Sequence, residues 1–468
     1  MVMTADAPAK IIGRQRLIVF LLLGAGFMLS VDYSIVNVAL PRLGAGVGLE
    51  VSALPWVVSA FALPAAGFTL LFGRIADLFG RRRMFLIGIS LLAVSSLVGG
   101  LATNPAMLLT ARTLQGFATA IATPAALSLL ITSFGDEKQR ARVLGLNGAL
   151  LSGGFTIGAL VGGTIVGVLS WRWAFLINVP VAVLILVATP FLVRASRAPT
   201  AVKLDVPGAV SVTLGLLALV FGVISENVYS IIGGLALLVV FWLIERRAKA
   251  PLAAVGILSR PTVMWGNIAG LVVFVMEPGS IFLMTLYLQD VLDLAPLTTG
   301  LIFGVPGLAS VAAGVIAGRL IAQYGPRNVL AIGLLGQTVF TAPLVLLGTG
   351  HVWLSLLIPA LFLSFFGHVT AIVSFMVTAT SGLPDSEQGL ATGLATLTQQ
   401  VGLTIGIPIL GAIAATQAAL LTGIHLALAV NFAVTVTAVV FIWVGLRSRA
   451  QAVADDAGER EAYEPSAG

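Results

Sequence analysis

The chain contains no cysteine, only three histidines and very little charge: 9% of its 468 residues are Asp, Glu, Lys or Arg. Without cysteine there are no disulfides, thiolate metal sites or cysteine nucleophiles. With so little histidine, no H-E-x-x-H and no aspartate-rich metal motif, an intramembrane enzyme such as a lipid-modifying transferase is disfavoured, and neither catalysis nor a bound metal or cofactor is expected. The shortage of charge excludes a soluble protein, which would need roughly a quarter charged residues to cover its surface. In their place stand 58% hydrophobic residues, a mean hydropathy of +1.07 and apolar runs of about twenty residues along almost the whole length. These define an all-α polytopic membrane protein with the bilayer as its solvent. The net charge of +6 is spread in short clusters between apolar runs. It reads as a topology signal and not as a nucleic-acid patch.

Fourteen spans are predicted, near 17–40, 53–73, 84–102, 106–132, 143–168, 174–193, 207–225, 230–245, 262–288, 297–318, 328–348, 353–377, 389–415 and 425–446. The first is too long for a signal-peptide core and stays as a helix. An even number returns both termini to one side. Of the 25 Lys and Arg residues, all except Arg42, Arg112 and Arg172 then fall on that side, so it is expected to be cytoplasmic, in a cell membrane. The polar, acidic tail from Arg447 is expected to be disordered.

The chain also repeats itself. "GRIADLFGRRRMFLIG" at 73–88 returns as "GRLIAQYGPRNVLAIG" at 318–333, an offset of 245, sharing Gly73/Gly318, Arg74/Arg319, Gly80/Gly325 and Arg82/Arg327. "GLNGALLSGGFTIGALVGG" at 145–163 returns as "GLATLTQQVGLTIGIPILG" at 393–411, an offset of 248. Span n therefore faces span n + 8, giving a six-span bundle over 1–195, two inserted spans over 196–260, a second six-span bundle over 261–446 and a tail over 447–468. Duplicated halves enclosing a midplane site describe a secondary transporter, expected to be a monomer.

At these residues the chain resembles a known family. "GRIADLFGRRR" resembles the G-x-x-x-D-x-x-G-R-[KR] signature of the major facilitator superfamily, and Arg112, Gln115 and Gly116 match its R-x-x-Q-G motif. Gly145, Gly154, Gly158, Gly162 and Gly163 follow the antiporter motif G-x8-G-x3-G-P-x2-G-G, with Ala159 where the pattern has proline. With "VDYSIVNVALP" from Val31 (Ser34 replacing the pattern's threonine) and "WRWAFLINVP" at 171–180, the resemblance narrows to the fourteen-helix drug:proton antiporters and covers about residues 15–446. It implies two six-helix bundles with two central helices, and proton-driven export of small lipophilic compounds, cationic ones included, by alternating access. A proton-coupled symporter of a small solute and a lipid translocase are the alternatives on the same scaffold.

Asp32 lies about fifteen residues, or about 22 Å, into span 1, and Arg112 about six residues, or about 9 Å, into span 4 from the opposite face. Similar depth predicts that the two meet. A charge at a helix centre costs roughly 2.5–3.5 kcal/mol on insertion scales, so both should face the bundle interior. Burial opposes the charged form of a carboxyl and a neighbouring arginine favours it, which makes proton exchange sensitive to cavity opening. The resemblance makes Asp32 the coupling acid and Arg112 the modulator of its proton affinity; a fixed ion pair between spans 1 and 4 is the plainer alternative. Glu277, followed by the helix-weakening Pro278 and Gly279, is expected at a cavity as a second protonation site or an anchor for a cationic substrate. Gln115, Gln399 and Gln400 are candidate substrate contacts. Gly73, Asp77, Gly80, Arg81 and Arg82 form a candidate conformational latch, asymmetric because Ala322 replaces Asp77 in the repeat. Gly154, Gly158 and Gly162 share one helix face, which by resemblance meets the opposite half. His368 is expected to be a hydrogen-bonded core residue, and Trp171 and Trp173 interface anchors.

Overall fold

A computed structural model describes residues 13–134, 137–194, 205–248, 251, 255–381, 383 and 385–462. Predicted spans 1 to 5 are α1 (Arg14–Val47), α2 (Pro55–Phe79), α3 (Arg81–Gly100), α4 (Pro105–Thr132) and α5 (Glu137–Val168). Span 6 is divided into a single turn, α6 (Trp173–Leu176), and α7 (Asn178–Leu192). Spans 7 to 14 are α8 (Val206–Ile224), α9 (Val228–Arg247), α10 (Pro261–Leu286), α11 (Pro296–Tyr324), α12 (Pro326–Thr341), α13 (Leu354–Thr380), α14 (Asp385–Ala415) and α15 (Leu420–Ala462). Among the described residues thirteen helices are long and apolar enough to cross a membrane. The described apolar part of α5, Ile157–Val168, is shorter.

Local chemistry sets the helix starts. Proline opens α2, α4, α10, α11 and α12, where its fixed φ suits the first turn and its missing N–H costs nothing. Asn104, Asp205 and Asn227 cap α4, α8 and α9 by accepting from the amides of Met107, Gly208 and Ser230 at 2.9, 2.9 and 3.1 Å. Gly80 and Gly325 make the matching turns after α2 and α11 with φ of 105° and 79°, a region that side chains disfavour. One expectation changes: α10 runs through Pro278 unbroken and ends in a π turn, Tyr287–Val291, because neighbouring helices support it there.

The repeat reappears as packing. α1 packs on α5, α2 and α3 on α4, and α3 on α7; α10 packs on α14, α11 and α12 on α13, and α12 on α15. The halves meet through α5 with α11 and α2 with α14. On the side away from the termini one apolar core runs through both halves, from Val36, Leu40 and Leu43 to Phe282, Leu286 and Leu361. Toward the termini the core divides into one cluster inside the first half and another inside the second. The hairpin of α8 and α9 lies against this divided region: α8 packs on α2 of one half and α14 of the other, with Val212 and Leu216 joining Leu63, Ala66, Leu394 and Leu397 in a bridging cluster.

Candidate functional site

Asp32, halfway along α1, is fully buried and accepts from three side chains. Arg112 Nη1 donates to Oδ2 at 3.2 Å, Gln115 Nε2 to Oδ1 at 3.4 Å, and Asn178 Nδ2 also to Oδ1. Arg112 is itself fully buried: Nε donates to the Val57 carbonyl at 3.0 Å, Nη1 to Gln115 Oε1 at 2.9 Å, and the guanidinium lies 4.4 Å from the Phe61 ring centroid. Gln115 Nε2 continues to Ser96 Oγ at 2.9 Å. Five helices thus close one network around one carboxylate and one guanidinium, which neutralise each other where neither is tolerated alone. Arg112 Nη2 makes no hydrogen bond among the described residues.

The glycines of α5 fix the position of α1. A Cβ at Gly158 would stand 2.7 Å from the Val31 carbonyl oxygen, and one at Gly162 2.9 Å from Ile35 Cα. The face of Gly154, Gly158 and Gly162 therefore meets α1 of its own half, which corrects the expectation that it meets the other. The neighbouring face does that: a Cβ at Gly163 would stand 2.8 Å from Gly300 Cα on α11. The reason is helical phase, since Gly163 is about 100° round from Gly162. Gly145 lies on α5, but its surroundings fall outside the described residues.

The other candidates separate from this network or rearrange. Glu277 is buried inside the second half, where Gln337 Nε2 on α12 donates to Oε2 at 2.9 Å; no contact across the halves is made by its carboxyl among the described residues. Gln115 belongs to the Asp32 network. Gln399 and Gln400 are half-buried on α14. Asp77 pairs with Arg81 one turn on, at 2.7 Å, and Arg82 Nη1 donates to the Val193 carbonyl at 3.1 Å, beside Arg14, which donates to the Leu192 carbonyl. The expected latch is here a pairing within one half, with Arg82 and Arg14 capping the C-terminus of α7; Gly73 makes only ordinary contact with Pro124. The His368 ring packs against Phe274 and Phe365, and its Nδ1 lacks the expected hydrogen bond. Trp171 is buried under Arg172, against the expectation of an interface anchor, while Trp173 is exposed. Ser96, Asn178, Gln337 and Asn431 were missed by sequence reasoning. Asn178 stood inside a quoted motif, and nothing local marked the others.

Alongside the network an apolar groove of about 1440 Å³ runs between α1, α5 and α7, open along the side where Phe20 and Leu184 are exposed. Leu17, Phe20, Phe27 and Leu184 line it, with Arg16 toward the termini and Asn178, the Asp32 donor, at its deeper end.

Duplicated helical halves, the first enclosing a buried ion pair, define a membrane transporter. The sequence pattern of the Major Facilitator Superfamily matches residues 22–407. The chain is 35% identical over 467 residues to the puromycin resistance protein pur8 of Streptomyces alboniger, covering 93% of this chain and 92% of that one. It is 34% identical to the cephamycin export protein CmcT of Amycolatopsis lactamdurans, covering 82% of each, and 32% identical to the multidrug resistance protein Stp of Mycobacterium tuberculosis, covering 86% and 76%. A POT family transporter in complex with a thioalcohol-conjugated peptide shares the fold, with a TM-score of 0.71 at 15% identity over 90% of this chain and 95% of that one. The protein belongs to the Major Facilitator Superfamily, and is a transporter and not an enzyme.

Proposed function

We propose that the protein exports small lipophilic compounds, antibiotics among them, from the cytoplasm in exchange for protons, with Asp32 as the coupling carboxyl. The observation that carries this reading is the buried network of Asp32, Arg112, Gln115 and Asn178. Protonating Asp32 removes half of the ion pair, leaves Arg112 Nη1 bonded to Gln115 and loosens the join of α1 to α4 and α7. A proton and a seated substrate then favour different arrangements of α1, which is the requirement for exchange. The core shared on the side away from the termini and divided toward them fits one end state of alternating access, open toward the cytoplasm when both termini lie there. The Asp77 pairing within the first half fits a latch that is disengaged in that state. Gln399 and Gln400 on α14 are the polar groups we assign to substrate orientation.

Relatives named for puromycin resistance, cephamycin export and multidrug resistance support the substrate class. The driving force is sufficient: one proton moving through 100 mV supplies about 2.3 kcal/mol, enough for a gradient of roughly forty- to fifty-fold. In proteoliposomes carrying a proton gradient, Asp32→Asn should abolish uphill movement of puromycin while the protein still inserts and binds it. Uphill transport retained in that variant would sink the assignment.

A further inference from the structure

The two halves bury matching polar clusters. At the offset of 245 that aligns Gly73 with Gly318, Ser96 falls on Thr341, while Glu277 lies one residue beyond the packing equivalent of Asp32, because a Cβ at Gly158 would meet the Val31 carbonyl and one at its repeat Gly406 the Val275 carbonyl. Packing sets the register of the next helix pair. A Cβ at Gly88 would stand 2.8 Å from the Ala122 amide nitrogen, and one at Gly333 would stand 2.7 Å from that of Ala371. Ala122 thus corresponds to Ala371, Gln115 to Ser364 and Arg112 to Leu361. The hydrogen bonds repeat as well: Gln115 donates to Ser96 at 2.9 Å, and Ser364 and Thr341 share a bond of 2.9 Å. The partners of the acid do not repeat: Asp32 accepts from Arg112, Gln115 and Asn178, and Glu277 from Gln337. The arginine beside the first acid is replaced by the buried Leu361, and the partner of Glu277 is the Gln337 amide.

That exchange changes what the site can do. A guanidinium only donates, so it favours a carboxylate; an amide also accepts. Gln337 Nε2 serves the ionised acid, and Gln337 Oε1, buried and without a partner, is available to accept from a carboxylic O–H once the amide turns over. Of the elements around Glu277, α13 presents His368, its Nδ1 also unpartnered, while α15 presents Asn431, which donates to Ser280 Oγ at 2.6 Å. The remaining titratable or charged groups on these helices lie toward their ends: Arg327 on α12, Asp385 and Glu387 on α14, His425, bonded to the Leu347 carbonyl, at the start of α15, and Arg447, Arg449, Asp455, Asp456, Glu459, Arg460 and Glu461 in its last part. Asp32 is on α1. With 2% of its surface exposed, Glu277 is placed to hold a proton and not to seat a substrate cation.

We propose that Glu277 is a second proton-carrying carboxyl, buried in the second half as Asp32 is in the first, and that Gln337 positions it in both protonation states. The proposal rests on the antiport reading for its place in the cycle. When the second half opens to water, the Glu277 O–H bond breaks, the proton passes to water, and the carboxylate takes the Gln337 N–H; reclosure reverses the step.

The test is infrared difference spectroscopy of the full-length protein in lipid nanodiscs between acid and alkaline pH, reading the carbonyl stretch of protonated carboxyls. Wild type should lose two buried-carboxyl bands on alkalinisation. Asp32→Asn should remove one and Glu277→Gln the other, while Gln337→Leu should move only the Glu277 band. If Glu277→Gln does not fold, Glu277→Asp should keep a titrating band at a displaced position. A Glu277→Gln spectrum superimposable on wild type, or a Glu277 band unchanged across the pH range, would overturn the proposal. Two titrating bands in a protein that shows no drug-driven proton movement would support the site and overturn antiport instead.

Discussion

Replacing Gly158 with alanine adds one methyl group about 2.7 Å from the Val31 carbonyl oxygen and from Ser34 Cβ. Non-bonded carbon atoms rest at roughly 3.5–4.0 Å, so α1 must retreat by about 1 Å. Asp32 is next to Val31, and its bond to Arg112 Nη1 is already 3.2 Å long; displaced by that amount, it passes out of hydrogen-bonding range. Overpacking of this kind costs about 1–3 kcal/mol. The expected outcome is a lower unfolding temperature in detergent together with weakened coupling, read as fewer protons moved per molecule of drug in proteoliposomes. Gly163→Ala is the control for position. Its methyl would meet Gly300 of the other half, so it should disturb how the halves close and leave the Asp32 network intact. Because the chain has no cysteine, spin labels on cysteines introduced at Glu50 and Asp290, exposed on opposite halves, can report closure directly. If Gly158→Ala matched wild type in both unfolding temperature and proton coupling, the claim that α5 holds Asp32 in place would be wrong.

Two further outcomes follow from the same contacts. Arg112→Met strands the Asp32 carboxylate and should destabilise the protein by about 3–5 kcal/mol, whereas the double variant with Asp32→Asn should recover much of that loss; equal loss in both by thermal unfolding would mean the pair is not coupled. Gly80→Ala and Gly325→Ala force side chains into positive φ with extended ψ and should each cost about 1–3 kcal/mol, with equal effects in the two halves if the turns are equivalent; unfolding temperatures of the two variants make the comparison.

The low charge, the apolar runs and the two repeats were enough to establish an all-helical, duplicated membrane protein, because in hydrocarbon each span must satisfy its own backbone and so announces itself in a local window. The pairing of Asp32 with Arg112 was also legible, since depth can be counted at 1.5 Å per residue along each helix. Partners from other helices were not. Ser96, Asn178 and Gln337 are ordinary polar residues in sequence, and only packing brings Asn178 and Gln115 to Asp32, or Gln337 to Glu277. Helical phase was similarly ambiguous: spacing showed that Gly154, Gly158 and Gly162 share a face, and the assembled bundle decided that this face holds α1 while Gly163 meets α11. Periodicity and depth are properties of one helix and can be read from its residues. Which face meets which neighbour is a property of the packed bundle, where close backbone approach and the need to satisfy every buried polar group choose among the arrangements that the sequence permits.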